Sequence, residues 1–304
     1  MNWFHRMLAI SLVVLGQPAQ AAVQRCDTHE LRVMTYNVRL DTPADGPNRW
    51  DQRRDLFIGQ LRLVRPAMLG LQEVVPGQRS DIASAMGGYL VLGGGRDDGK
   101  AAGEASPLLV DKLRFRVSAS GMFWLSPTPL VPSLGWDAAF RRVVTWARLT
   151  DRVTGHRILA INTHWDHIGV QARFNSAVQL RGWIAAQRQA GEAVILLGDF
   201  NAPLTEASLQ ALLVPHGNFP GLREARAGSR ELPVGGPATF NGWDLVPKTS
   251  QTIDHVLVGP GLEVTRYHVL AAHFGGRLAS DHFPVIADLA FTRSGKGCAA
   301  TPRA

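Results

Sequence analysis

Cysteine is nearly absent. The chain of 304 residues carries two, Cys26 and Cys298, too few for a thiolate metal cage. No run of lysine and arginine appears. The formal net charge of +7 is spread along the chain, which excludes a basic nucleic-acid tail but suits an anionic partner. Beyond the N-terminus no segment is long and apolar enough to cross a bilayer, so stable membrane insertion is not expected. Internal repeats and low-complexity linkers are also missing, and one domain over residues 22–304 is expected.

The one long apolar run comes first. His5 and Arg6 precede MLAISLVVLG at residues 7–16, Pro18 breaks the run, and Ala19-Gln20-Ala21 forms a small-x-small cleavage pattern. This is the layout of a signal peptide over residues 1–21, which predicts a secreted or periplasmic protein. In an oxidising compartment the two cysteines, one near each end of the mature chain, suggest a disulfide. That bridge would make the first and last strands antiparallel neighbours.

Hydrophobic patterning predicts strands over residues 31–38, 68–74, 89–92, 107–110, 115–117, 122–125, 143–149, 157–163, 193–197, 252–258, 263–270 and 283–291. Helical spacing marks residues 53–64, 82–86, 171–187 and 206–213. Many strands with few helices, hairpins among them, argue an α+β domain with packed sheets.

The most informative stretch is AVILLGDFN at residues 193–201. Its apolar run fits a strand buried on both faces. Gly198 is expected to free the backbone, and Asp199 and Asn201 follow at a spacing that puts both side chains on one side of an extended chain. An Asx-turn bonding only to backbone is the competing account.

Asn37, Glu73, His164, Asp199, Asn201, Asp254, Asp281 and His282 sit at or near the ends of apolar strands, with Glu104 in the glycine-rich loop of residues 93–104. Packed sheets can gather such ends into one cleft. Asn37, Glu73 and Asp281 supply hard oxygen ligands, which favours Mg²⁺, or Mn²⁺ or Ca²⁺. His164 and His282 can donate to phosphate oxygens, Asp254 can fix the tautomer of His282, and Asp199, aimed by Asn201, can deprotonate a water. These are parts for hydrolysing a phosphate ester. Trp165 and Trp243, beside expected site loops, are candidate substrate contacts.

TYNV at residues 35–38, LQEV at 71–74, NTHWDH at 162–167, GDFN at 198–201, IDHVL at 253–257 and SDHFPV at 280–285 resemble the signature of the endonuclease/exonuclease/phosphatase superfamily, the deoxyribonuclease I-like phosphoesterases. The blocks come in the family's order over residues 31–291. GRDDGKAAGEASPLLV resembles a subset of bacterial members. The resemblance implies a four-layer α/β sandwich of two mixed sheets flanked by helices. It also implies metal binding by Glu73 with Asn37 and Asp281, water activation by Asp199 with Asn201, and transition-state stabilisation by His164 and His282. It places Glu104 in the site and a phosphate-binding arginine at Arg142, with Arg141 as its rival. A monomer acting on nucleic acid, a nucleotide, an inositol phosphate or a phospholipid headgroup is expected. A membrane-inserting aromatic hairpin and a basic, aromatic-interleaved strand-tracking stretch are lacking.

Two alternatives compete. NTHWDH is one residue short of an H-x-H-x-D-H zinc motif of metallo-β-lactamase-like hydrolases, with Asn162 in place of the first histidine. The fold could also serve as a non-catalytic binding module.

Overall fold

The computed structural model describes residues 30–292. The signal peptide expected at residues 1–21, Cys26 and Cys298 lie outside the described residues. The chain runs β1 (Leu31–Asn37), α1 (Trp50–Val64), β2 (Met68–Gln72), α2 (Pro76–Ala85), β3 (Tyr89–Leu92), β4 (Leu108–Asp111), β5 (Phe115–Trp124), β6 (Val143–Asp151) and β7 (Arg157–His164). It continues through α3 (Val170–Gln187), β8 (Ala193–Asp199), α4 (Ala207–Leu213), β9 (Arg223–Glu224), β10 (Asp254–Val258), β11 (Leu262–Val269) and β12 (Val285–Phe291).

The strands form two six-stranded sheets, ordered β11-β12-β1-β2-β4-β3 and β5-β6-β7-β8-β10-β9. Each is mixed: β1 pairs with β2 and β7 with β8 in parallel, and the other neighbours are antiparallel. The first and last strands are antiparallel neighbours, with Leu31 opposite Leu289.

Strand alternation builds the layers. On β8, Ala193, Ile195 and Leu197 enter the core between the sheets, while Val194 and Leu196 face a second core with α3 and α4. On β1, Leu31 and Val33 point into the central core, and Met34 and Tyr36 pack under α1 and α2. The result is an α/β/β/α sandwich. Fully burying each such aliphatic side chain contributes about 1.5–3 kcal/mol before the entropy of ordering is subtracted.

Three local departures from the sequence patterns have physical causes. The strands expected at 115–117 and 122–125 are one edge strand, β5, with a register shift between Val117 and Ala119. The small residues SASG between them mask it, because its outward face needs no apolar side chains. The helix expected at 82–86 begins at Pro76, which occupies the first turn, where a missing N–H costs nothing. Gly198 lies inside β8 without a positive φ. A Cβ there would lie 2.7 Å from the Thr163 carbonyl oxygen, so the glycine serves close strand approach rather than backbone freedom.

Candidate active site

Sheet register assembles the site. His164 on β7 lies opposite Asp199 on β8, which lies opposite Asp254 on β10, making one row across three strands. In the other sheet Asn37 ends β1 beside Gln72, and Glu73 follows directly. Because β12 runs antiparallel to β1, the residues that enter it, Asp281 and His282, arrive where β1 finishes. Asn37 joins the two sheets: its Nδ2 donates to Glu73 Oε1 and to Asp199 Oδ2, both at 2.9 Å.

Left-handed turns aim the side chains. Asn201 has φ +49° and Glu73 φ +60°, conformations that cost non-glycine residues energy and persist where surroundings hold them. The Asn201 N–H donates to Asp199 Oδ1 at 2.9 Å. The Asx-turn therefore exists and is the device that brings Asn201 into the site; an extended chain is not. Asn37 repeats the device by accepting from Arg39 N at 2.9 Å. Behind these turns the buried Arg53 guanidinium donates to the carbonyls of Val38, Arg39, Asn48 and Ala279, pinning the loops to α1.

The electrostatics separate the titratable groups. His282 Nδ1 is 2.9 Å from Asp254 Oδ2, and His282 Nε2 is 3.8 Å from Asp199 Oδ2. Burial disfavours charge on this ring, but the two carboxylates outweigh it and hold the imidazolium pKa well above its ordinary value. Burial, with the neighbouring Asp254 charge, pushes the Asp199 carboxyl up to about 7. His164 goes the other way: burial and the nearby Arg142 and Arg96 charges keep it neutral. Asn201 Nδ2 donates to His164 Nε2 at 3.0 Å and to the Trp165 carbonyl at 3.0 Å, so the neutral ring carries its proton on Nδ1 and Asn201 Oδ1 is left to accept.

The donor set fits a hard divalent cation. Glu73 and Asp281 face the same cavity. Burial raises the Asp281 pKa, and the Glu73 charge adds to that. The Arg39 guanidinium stays 3.7 Å from Asp281 and 4.0 Å from Glu73 while Asp45 takes its two direct hydrogen bonds. Two close carboxylates with no direct cationic hydrogen bond suit an oxygen-ligated ion. Asp199, Asp254 and His282 also offer ligand atoms within 4.8 Å of one another, with His282 Nδ1 and Asp254 Oδ2 already engaged with each other at 2.9 Å.

The cavity has a volume of about 580 Å³ and is lined by Glu73, Glu104, Arg142, His164, Asp199, Asn201, Asp281 and His282 from the sequence-derived set. Between the two arginine candidates, Arg142 is buried and lines the wall, while Arg141 is exposed beside Asp97. Trp165 requires correction as a substrate contact. Its side chain is fully buried against Phe200, at 4.8 Å, in the core beneath α3 and α4. Alternation explains this, since the residue after His164 faces away from the cavity. Trp243 likewise packs on the central core and stacks on Arg53. The aromatic walls are Phe140 and Phe240, and Arg39, Arg96 and His167 also line the cavity. Loop residues without periodic neighbours carry no sequence signal for this; only Arg96, in GRDDGKAAGEASPLLV, and His167, in NTHWDH, lay within quoted motifs.

The zinc alternative fails on the same geometry. Asn162 is buried between the sheets, donating to the carbonyls of Leu71 and Pro107. Asp166 and His167 hold Arg142 at 3.2 and 3.1 Å.

Comparison with known proteins agrees with this architecture. The model of the Endonuclease/Exonuclease/phosphatase family matches residues 34–282. A family protein of Bacteroides thetaiotaomicron is 32% identical with a TM-score of 0.81, covering 88% of this chain and 99% of that one. A mannosyl-6-phosphatase from the same organism is 33% identical with a TM-score of 0.80, covering 86% of this chain and all of its own. An uncharacterized protein of Acanthamoeba polyphaga mimivirus is 24% identical over 273 residues, 84% of this chain and 98% of that one. The chain belongs to the endonuclease/exonuclease/phosphatase family.

Proposed function

We propose that the protein is a secreted, divalent-metal-dependent phosphoesterase that cleaves its substrate by in-line attack of a water activated by Asp199. The observation that carries this reading is the convergence in one cavity of Asp199 with Asn201, His164 with His282, and the acidic pair Glu73 and Asp281, with burial raising the Asp199 carboxyl above its ordinary value. A base poised near the working pH is what proton abstraction from water requires. Asn201 Oδ1 accepts a hydrogen bond from the water's second O–H and orients a lone pair toward phosphorus. One proton passes to Asp199 as the water's P–O bond forms, the P–O bond to the alcohol breaks on the opposite side, and the departing alkoxide takes a proton from solvent. The charge growing on the phosphoryl oxygens is met by His282 Nε2–H, whose own charge Asp254 sustains. His164, held through Nε2 by Asn201, lines the same cavity. Glu73 and Asp281, with Asn37 beside them, would hold the ion, which supplies Lewis-acid polarisation of a phosphoryl oxygen.

A relative named as a mannosyl-6-phosphatase, similar over nearly the whole chain, supports a phosphate monoester as substrate. Secretion rests on the signal-peptide layout at the N-terminus. Among the described residues no helix is long and apolar enough to cross a membrane. The test is hydrolysis of a panel of phosphate monoesters and diesters with Mg²⁺ or Mn²⁺, before and after chelation. Turnover that requires the added ion is expected. Absence of turnover across the panel would favour a binding module.

A further inference from the structure

Part of the cavity wall has no task in this chemistry. Arg96, Glu104, Phe140 and Phe240 face the same space as Asp199 and His282. Arg96 and Glu104 grip each other in a two-pronged contact, Nη1 to Oε2 at 3.0 Å and Nη2 to Oε1 at 2.6 Å. Their charges largely offset each other, and Arg142 is paired through one contact, Nε to Asp166 Oδ2 at 3.2 Å. A wall of paired charges has less attraction for a second phosphate than free cations would. It offers N–H donors and carboxylate lone pairs side by side, the pattern that satisfies neighbouring hydroxyls, each of which both donates and accepts.

The fork is held in place. Its side chains are only 11% and 16% exposed. Arg96 N donates to the Glu104 carbonyl at 2.9 Å, and Trp124 Nε1 donates to the Arg96 carbonyl at 2.7 Å. Ala105 and Val74 exchange backbone hydrogen bonds of 2.8 and 3.1 Å, which ties the loop to the residue after Glu73. The Arg96 guanidinium lies 4.7 Å from the Phe140 ring, and Phe240 stands edge-on to His282 at 5.1 Å. Phe140 is also stacked on His167 at 5.8 Å, but both phenylalanines stay partly exposed, which leaves apolar surface for the C–H face of a ring whose hydroxyls are bonded elsewhere. A cavity of about 580 Å³ accommodates a small ring with a phosphate.

We infer that the Arg96–Glu104 fork, with Phe140 against Arg96 and Phe240 on the His282 side of the cavity, is the leaving-group subsite and takes the hydroxyl-bearing skeleton of a sugar or polyol phosphate monoester. The inference rests on the phosphoesterase reading above. A nucleic-acid strand, with further phosphates on either side of the scissile one, would meet paired charges there instead of free cations.

The experiment measures kcat/KM of the whole protein with Mg²⁺ on ethyl phosphate, glycerol phosphate, a hexose 6-phosphate and bis-p-nitrophenyl phosphate. Among the three alkyl monoesters, kcat/KM should rise with hydroxyl count, by at least about tenfold from ethyl to hexose. Glu104→Gln and Arg96→Met should each cut the hexose-to-ethyl ratio about tenfold or more, mainly through KM on the hexose ester. The subsite assignment is overturned by a flat monoester series or by variants that lower both esters equally. Cleavage of the diester alone would leave the phosphoesterase reading standing and remove the sugar-phosphate assignment. Wild type that cleaves none of the four would remove the phosphoesterase reading itself. The wild-type series decides even where a variant does not fold.

Discussion

Asp254 Oδ2 accepts from His282 Nδ1 at 2.9 Å, although the two residues lie 28 positions apart, one opening β10 and the other in the segment that leads into β12. The contact keeps a fully buried imidazole charged and turns its Nε2 toward Asp199. Asp254→Asn should keep the fold and lower kcat by about 10²–10⁴, because the amide can no longer sustain the imidazolium. The check is kcat together with the His282 titration by NMR. Its pKa should drop from well above the ordinary value, and an unshifted His282 with normal kcat would remove this role.

Asp199 should titrate near pH 7 in metal-free protein, since burial and the Asp254 charge raise it to about 7. The sign follows from the acid form being favoured: the base is competent above that pH and silenced below it. Carbon-13 NMR of the Asp199 carboxyl measures this directly. Asp199→Asn should reduce turnover by several orders of magnitude at every pH.

Chelation should abolish activity and Mg²⁺ should restore it. Glu73→Gln removes one of two adjacent charges and should raise the metal concentration for half-maximal activity by about tenfold or more. Isothermal titration of the metal into wild type and variant separates weaker binding from slower chemistry. Equal affinities would move the ion away from Glu73.

Trp165 should matter to stability rather than to substrate affinity. Its side chain fills the core against Phe200, and truncation to Ala should cost about 3–5 kcal/mol. Denaturant unfolding measures the loss. A raised KM for Trp165→Phe, with an unchanged melting temperature, would return the residue to the substrate wall.

Asp288 couples the edge of one sheet to pH. Burial opposes its ionisation, but hydrogen bonds from Arg32 and Arg266 outweigh that and depress its pKa. A depressed acid stabilises the fold fully above its unfolded value, near 4, and loses that contribution as pH falls through the folded value. Asp288→Asn should therefore lower the unfolding midpoint at pH 7, and the difference from wild type should shrink as pH falls below the unfolded value and through the depressed folded one. A difference independent of pH would place the effect in packing instead.

The sequence by itself determined the strands, because buried apolar runs such as residues 193–197 tolerate no other local structure. It also determined the polar residues at their ends, since GDFN and SDHFPV declare their chemistry in residue type. Asn37, Glu73, His164, Asp199, Asn201, Asp254, Asp281 and His282 were all legible in that way. Which way each side chain points was not. Trp165 and His164 are adjacent, and only the pairing of β7 between β6 and β8 sends one into the core and the other to the cavity. The left-handed turns at Glu73 and Asn201, the Arg96–Glu104 fork and the walls of Phe140 and Phe240 belong to loops, where no periodicity reports burial. Tertiary structure decided them, because the energies that fix a loop come from contacts with residues far away in the chain.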